Sequence, residues 1–494
     1  MYDWNKIRQD VENFSSELEK EWYLNLSGLK QEVNLSPIYN KYGHLFTKEL
    51  ILALKEKREH AKGEDERKLR HLQRFFASRY LVNTVKEVTE KADTMESKET
   101  VRLDGETIPF RQAFARAASE PNREKRSRLY EARNEVVERI NVLSLARTEK
   151  LHETSKELGY SNYAALFETV RGIDFHQLEK LMQDFIAKTE STYVNRMENA
   201  LLDKVGVGLD DAELHDMAFL LRARECDEYF PKEGAVRALS KMLARLGFCL
   251  EGQKNIMIDM EERPTKSPRA FCSAIRIPQE IKLVILPQGG QDDYASLFHE
   301  AGHAEHCACT NPELAVEYKR LGDDSVSEAF AYLLEYLLTD ENWLKQNTPL
   351  RETDEYLDFF SLSKLYFLRR YGAKLSYELK LHRADTLEGM DEVYKETLEE
   401  ILKFKHPKNR FLTDWDDGFY CTQYLRAWIF EEQLRATLKE RFGEEWFNNK
   451  EAGAFLKNLW AYGQKYDAVE LARMLGYRDL SIEQLLSSLQ KRFS

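Results

Sequence analysis

Ala270-Phe271-Cys272-Ser273-Ala274-Ile275-Arg276-Ile277, then Ile281-Lys282-Leu283-Val284-Ile285-Leu286, then Gly289-Gly290 and a run through Phe298-His299-Glu300-Ala301-Gly302-His303, form the stretch that decides the fold. The first two segments are short, rich in β-branched residues and bracketed by Pro264, Pro268, Pro278 and Pro287, which reads as two adjacent strands. The glycine pair turns the chain, and Asp292 or Asp293 is expected to cap the helix that follows. On either side the pattern is helical. Only Pro37, Pro109, Pro121 and Pro231 precede residue 260, and residues 48–92 and 112–203 space apolar positions three and four apart among dense Lys, Glu and Arg. Arg102 to Pro109 reads as a turn or hairpin between helical blocks, and no fixed-period repeat suggests a solenoid. The expected fold is mostly α with a small β-sheet.

His299 and His303 stand four residues apart on one helical face, so both imidazoles can reach one zinc ion. Glu300 projects beside them, able to take a proton from water without being a ligand. A histidine pair at this spacing is also compatible with ordinary surface. Against that, Gly302 inside a helix costs about 1 kcal/mol relative to alanine, which points to close packing there. His306 lies about 10 Å along the axis from His299, too far for three rings to converge. A third ligand therefore has to come from elsewhere. After the stop at Gly322-Asp323-Asp324-Ser325, a helix from Val326 to Thr339 carries Glu328 on its first turn, 25 residues after His303, and Glu335 on the same polar face. Ser325-Val326-Ser327-Glu328 also has the form of a capping box, so Glu328 reads either as ligand or as cap.

Composition narrows the function classes. The 494 residues carry 73 Lys+Arg against 85 Asp+Glu, a net charge of −12, which argues against nonspecific nucleic-acid binding. No run is apolar enough to span a bilayer; the richest, Ala329 to Leu338, is broken by Glu335. The six cysteines are too sparse for a disulfide framework, and Met1-Tyr2-Asp3-Trp4-Asn5-Lys6 opens no apolar leader, so a cytoplasmic protein without membrane partners is expected.

Phe298-His299-Glu300-Ala301-Gly302-His303-Ala304-Glu305-His306 resembles the active-site helix of the thimet oligopeptidase and oligoendopeptidase F family of zinc peptidases. Glu328 and Glu335 match that family's later glutamates. Arg269-Ala270-Phe271-Cys272-Ser273 resembles its strand ahead of the helix, with Arg269 where glycine is usual. Gly418-Phe419-Tyr420-Cys421-Thr422-Gln423-Tyr424 looks like its tyrosine-bearing helix. The convincing likeness covers about 265–340 and 411–434. The resemblance extends to zinc peptidases of the same helical architecture, angiotensin-converting enzyme and the thermostable-type carboxypeptidases, which are closer to this length.

The resemblance implies a two-lobed helical zincin with a small β-sheet beside the active-site helix and a deep channel. Residues 1–205 would form an N-terminal helical lobe and 206–494 the catalytic region. One Zn²⁺ would be held by His299, His303 and Glu328, with Glu335 orienting a ligand histidine. Glu300 would be the general base, and Tyr420 or Tyr424 would stabilise the oxyanion. Cys272, Ser273 and Ala274, on a strand edge, would pair with the backbone of an extended peptide. Two departures stand out: Asp414 and Trp415 occupy the region of a family histidine, and Ala427 the position of a further tyrosine. The implied activity is hydrolysis of internal bonds in short unstructured peptides. The alternatives are a zinc carboxypeptidase or dipeptidyl carboxypeptidase, or a non-catalytic helical scaffold, for which Glu300 would have no use.

Overall fold

The computed structural model describes residues 2–250 and 252–493, which contain twenty-one α-helices and five short strands. Several helices start where the sequence supplies side-chain acceptors. Asn122 accepts from the Lys125 amide at the head of Arg123–Glu157, and Asp174 from the Gln177 amide at the head of Phe175–Lys204. The short helix Tyr163–Arg171 between them ends at Gly172, whose φ of 68° is left-handed. Strands β1 (Thr100–Leu103) and β2 (Glu106–Pro109) form the expected hairpin. Asp104 and Gly105 make its two-residue turn, both at positive φ. No helix among the described residues is long and apolar enough to cross a membrane.

The contacts divide the chain into two compact units, and the division does not follow a single cut at 205/206. One unit gathers residues 1–76, 224–358 and 423–488; the other gathers 77–223, 359–422 and 489–494. Side-chain contacts explain why the N-terminal segment joins the first unit. The helix Trp4–Leu26 places Tyr23 and Leu24 against Phe271, Ile275 and Val284. Arg8 pairs with the buried Glu317, and Arg263 Nη1 donates to the Ser27 carbonyl at 2.8 Å.

In that unit β4 (Phe271–Arg276) and β5 (Glu280–Val284) pair antiparallel, as expected from the two apolar segments. A third strand, β3 (Ile256–Asp259), runs parallel to β5, giving the order β3-β5-β4 with β4 at an edge. Sequence reading missed β3 because it is four residues long and half exposed, with Met257 facing out. Successive residues of β4 alternate between faces. Phe271, Ser273 and Ile275 face the helix Trp4–Leu26, with which Ser273 Oγ bonds at Glu19. Cys272 and Ala274 alternate to the opposite face, where the helix Gln291–Cys309 packs. The sheet is thus a three-stranded layer between an N-terminal helix and the helix that bears the histidines.

Because residues 1–76 share this core, Phe14→Ala should destabilise the unit as a whole. Phe14 is fully buried and meets Tyr39, Tyr42 and Phe46 edge-on, so the loss should be about 3–5 kcal/mol. Urea unfolding followed by tryptophan fluorescence measures it, and an unchanged midpoint would make the N-terminal segment an appendage.

Candidate metal centre

The helix Gln291–Cys309 begins at Gly290, whose φ of 98° makes the turn and whose place beside Asp227 leaves no room for a Cβ. Asp293 does not cap it in the expected way; its Oδ2 accepts from the Gln288 and Gly289 amides, tying the preceding loop down. One turn apart on this helix, the rings of His299 and His303 stand 4.9 Å from each other, centroid to centroid.

A second helix, Asp324–Glu335, crosses the first at Gly302. A Cβ at residue 302 would lie 2.5 Å from Ala331 Cα and 2.6 Å from the Phe330 carbonyl oxygen, so the two backbones touch there. This is the close packing that a glycine inside the helix forecast. The capping-box alternative for Glu328 does not hold: Asp323 is the N-cap, accepting from the Ser325 amide and hydroxyl. Asp323 also accepts from Arg426 Nη2 at 2.8 Å and from the Ala468 amide at 3.1 Å. Burial opposes its charge more than any single partner favours it, but Arg426 together with the hydrogen bonds from Ser325 and Ala468 holds the carboxyl well below the usual range. Arg426, whose role the sequence leaves open, therefore pins the start of this helix.

With its cap role gone, Glu328 turns to the histidines. Its Oε2 lies 3.4 Å from His299 Nε2 and 3.7 Å from His303 Nε2. One ligand atom from each of His299, His303 and Glu328 falls within 4.8 Å of the others. The opposite ring nitrogens are occupied: His299 Nδ1 meets Glu335 Oε2 at 2.8 Å, and His303 Nδ1 meets Ser327 Oγ at 2.9 Å. A carboxylate only accepts, so Glu335 orients His299 with Nε2 turned to the cluster. Burial works against a charged His299, yet hydrogen bonds to Glu328 and Glu335 push it up to about 10. His303 is pushed down, first by burial. The cluster offers two imidazole nitrogens and one carboxylate oxygen, a donor set that fits a zinc ion with an open position.

Glu300 stays outside that ligand set. Its Oε2 accepts from the backbone N–H of Cys272 at 2.9 Å, so the carboxylate is held at the edge strand β4. Of the three strand residues, Cys272 and Ala274 are on the face of this helix, whereas the Ser273 hydroxyl belongs to the opposite face, at Glu19. The structure separates the two tyrosines by unit. Tyr424 sits 6.4 Å, ring to ring, from Tyr332, which is edge-on to His299 at 5.1 Å. Tyr420 belongs to the other unit, where the Arg171 guanidinium lies over its ring. Asp414 and Trp415 also serve that unit: Asp414 accepts from Tyr394 at 2.7 Å and pairs with Arg370, and Trp415 packs edge-on to His382 at 4.6 Å.

The sequence profile described as Peptidase family M3 matches residues 116–491. The chain belongs to this family. M3 peptidases are zinc-dependent, and the matched span includes both histidines, Glu300, Glu328 and Glu335. A comparison with curated proteins finds no match. The first 115 residues lie outside the M3 match, although the helix Trp4–Leu26 supplies the layer behind β4.

Sequence reading overlooked Ser327 and Tyr332. Ser327 hid inside an apparent capping box, and Tyr332 inside the apolar run Ala329 to Leu338; the signal for both was their place on the helix of Glu328. His306, considered only as a ligand, is instead buried at 2 % exposure, where burial pushes it down to about 4.

Gly302→Ala tests the helix crossing. Helix propensity favours alanine by about 1 kcal/mol, but the clash with Ala331 should cost more, within the usual overpacking range of about 1–3 kcal/mol. The unfolding midpoint and zinc affinity should both fall in calorimetry; a stabilised variant with unchanged affinity would contradict the contact.

Proposed function

We propose that this M3 metallopeptidase hydrolyses internal peptide bonds of short, unstructured peptides, with His299, His303 and Glu328 as the ligands of one zinc ion. The observation that carries this reading is the convergence of both Nε2 atoms on Glu328 Oε2 with Glu300 held beside them. When bound, zinc supplies Lewis acidity that makes water a nucleophile near neutral pH and polarises the scissile carbonyl.

Glu300 takes the proton from the attacking water and passes it to the leaving amine. The Cys272 amide holds one of its oxygens, which fixes the carboxylate and leaves the other for the water. Tyr424 or Tyr420 donates a hydrogen bond to the developing oxyanion. The outer edge of β4, at Cys272 and Ala274, accepts an extended peptide as an added strand, giving affinity through backbone hydrogen bonds with little side-chain selection. Glu335 keeps His299 in the ligating tautomer. We assign the reaction to the cytoplasm, without nucleic-acid or membrane partners; six free cysteines and a net charge of −12 support that reading.

Glu300→Gln keeps an acceptor for the Cys272 amide but removes the base. It should retain zinc and lose cleavage by about 10²–10⁴-fold. Glu328→Ala should lose zinc while remaining folded by circular dichroism. A purified protein without zinc, or a Gln variant cleaving at the parent rate, would sink the mechanism. Peptides with amidated C-termini should be cut as fast as free ones; loss of cleavage on amidation would make the enzyme a carboxypeptidase or dipeptidyl carboxypeptidase instead.

A further inference from the structure

We propose that Ser327 and His306 are positioning residues that fix the tautomer of His303, through a one-way hydrogen-bond chain starting at the Gly463 carbonyl. The inference rests on His303 as a metal ligand. It concerns a problem that His299 does not have. The Nδ1 of His299 faces a carboxylate, which can only accept, so its proton is assigned at once. The Nδ1 of His303 faces a hydroxyl, Ser327 Oγ, which can donate or accept. If Ser327 donated, the proton of His303 would sit on Nε2 and block the lone pair that faces Glu328. Something else has to decide the direction.

His306 does. Its Nδ1 lies 3.2 Å from the same Ser327 Oγ, and its Nε2 lies 3.2 Å from the Gly463 carbonyl oxygen. A carbonyl has no proton to give, so His306 Nε2 carries one. The ring is buried edge-on against Phe330 at 5.0 Å, with no acid among its hydrogen-bond partners, an environment for a neutral imidazole with a single N–H. Its Nδ1 is then an acceptor, and the one hydroxyl proton of Ser327 goes to it. Ser327 Oγ can therefore only accept from His303, which puts the proton of His303 on Nδ1 and leaves Nε2 bare.

The start of the chain is itself held in place. Gly463 has a φ of 54°, and a Cβ there would meet the Tyr318 carbonyl at 2.7 Å. The next residue, Gln464, donates its amide to that same carbonyl at 2.8 Å and accepts from the Gly322 amide at 3.0 Å. The loop that ends the helix Lys450–Trp460 is thus tied to the turn preceding Asp323, and its carbonyl is a fixed acceptor. The third histidine of the motif sets the proton of the second without touching the metal.

The direct test is the proton position in the metal-free full-length protein. With ¹⁵N-labelled histidine at mildly alkaline pH, long-range ¹H–¹⁵N spectra, assigned through His303→Gln, should show His303 with its proton on Nδ1. Ser327→Thr keeps the hydroxyl and should preserve that signature. So should His306→Gln, whose amide nitrogen can donate to Gly463 while its oxygen accepts from Ser327. Ser327→Ala and His306→Leu should shift His303 toward the Nε2–H form. Their zinc affinity, read by chelator competition, should fall by about 10–100-fold. An Nε2–H tautomer in the native protein overturns the proposal, as does a Ser327→Ala variant with native tautomer and native affinity. If instead the tautomer is as expected but no zinc binds, the proton chain stands and the metal assignment fails.

Discussion

The backbone contact at Gly302 is the constraint on which the centre depends. Glu328, Ser327 and Glu335 sit on one helix, His299 and His303 on another. Side chains this short bring a carboxylate within 3.4 Å of an imidazole only if the helix axes come unusually close. A methyl group at the crossing would overlap Ala331, so the residue there has no side chain. The intrinsic cost of glycine inside a helix, about 1 kcal/mol, is small beside what the crossing secures. One contact registers three polar partners against two histidines at the same time.

Around that crossing, each functional group has its own restraint from a different element. The glutamate helix is pinned at its start by the buried pair of Asp323 and Arg426. Gln423 Oε1 also accepts from the Ser325 amide there. Glu300 is held by a strand amide, and that strand is backed by the N-terminal helix through Tyr23, Leu24 and the Ser273 hydroxyl. The segment outside the M3 match thereby bears on the placement of Glu300. The histidines take their orientation from a carboxylate in one case and from a relayed hydroxyl in the other. A site assembled this way has little freedom to rearrange, which suits chemistry that depends on where one proton sits.

Much of this was legible in the sequence where the signal is local. The helical spacing of His299 and His303, the breaker-bounded strands β4 and β5, and the Asp104-Gly105 turn each declare themselves within a few residues. Gly302 announced a close approach, though not its partner. Other features were open or missed because their meaning depends on distant residues. Glu328 read as either ligand or cap until Asp323 took the cap. Arg426 had no assignable role until it met Asp323. β3 was too short to show a period. Asp414 and Trp415 occupy the region of a family histidine, and only the structure gives their partners, Arg370, Tyr394 and His382, in the second unit.

The amino-acid sequence by itself determined the chemistry: which residue types stand one helical turn apart, which segments extend, and which family the chain joins. Only the tertiary structure decided that Glu328 faces the histidines, that Glu300 is tied to β4, and that the N-terminal helix shares a unit with the centre. The reason is physical. Helical spacing and turn chemistry are short-range and written in neighbouring residues, whereas the approach of two helices at Gly302, and the direction of a hydrogen-bond chain from Gly463 to His303, exist only once residues far apart in the chain have packed together.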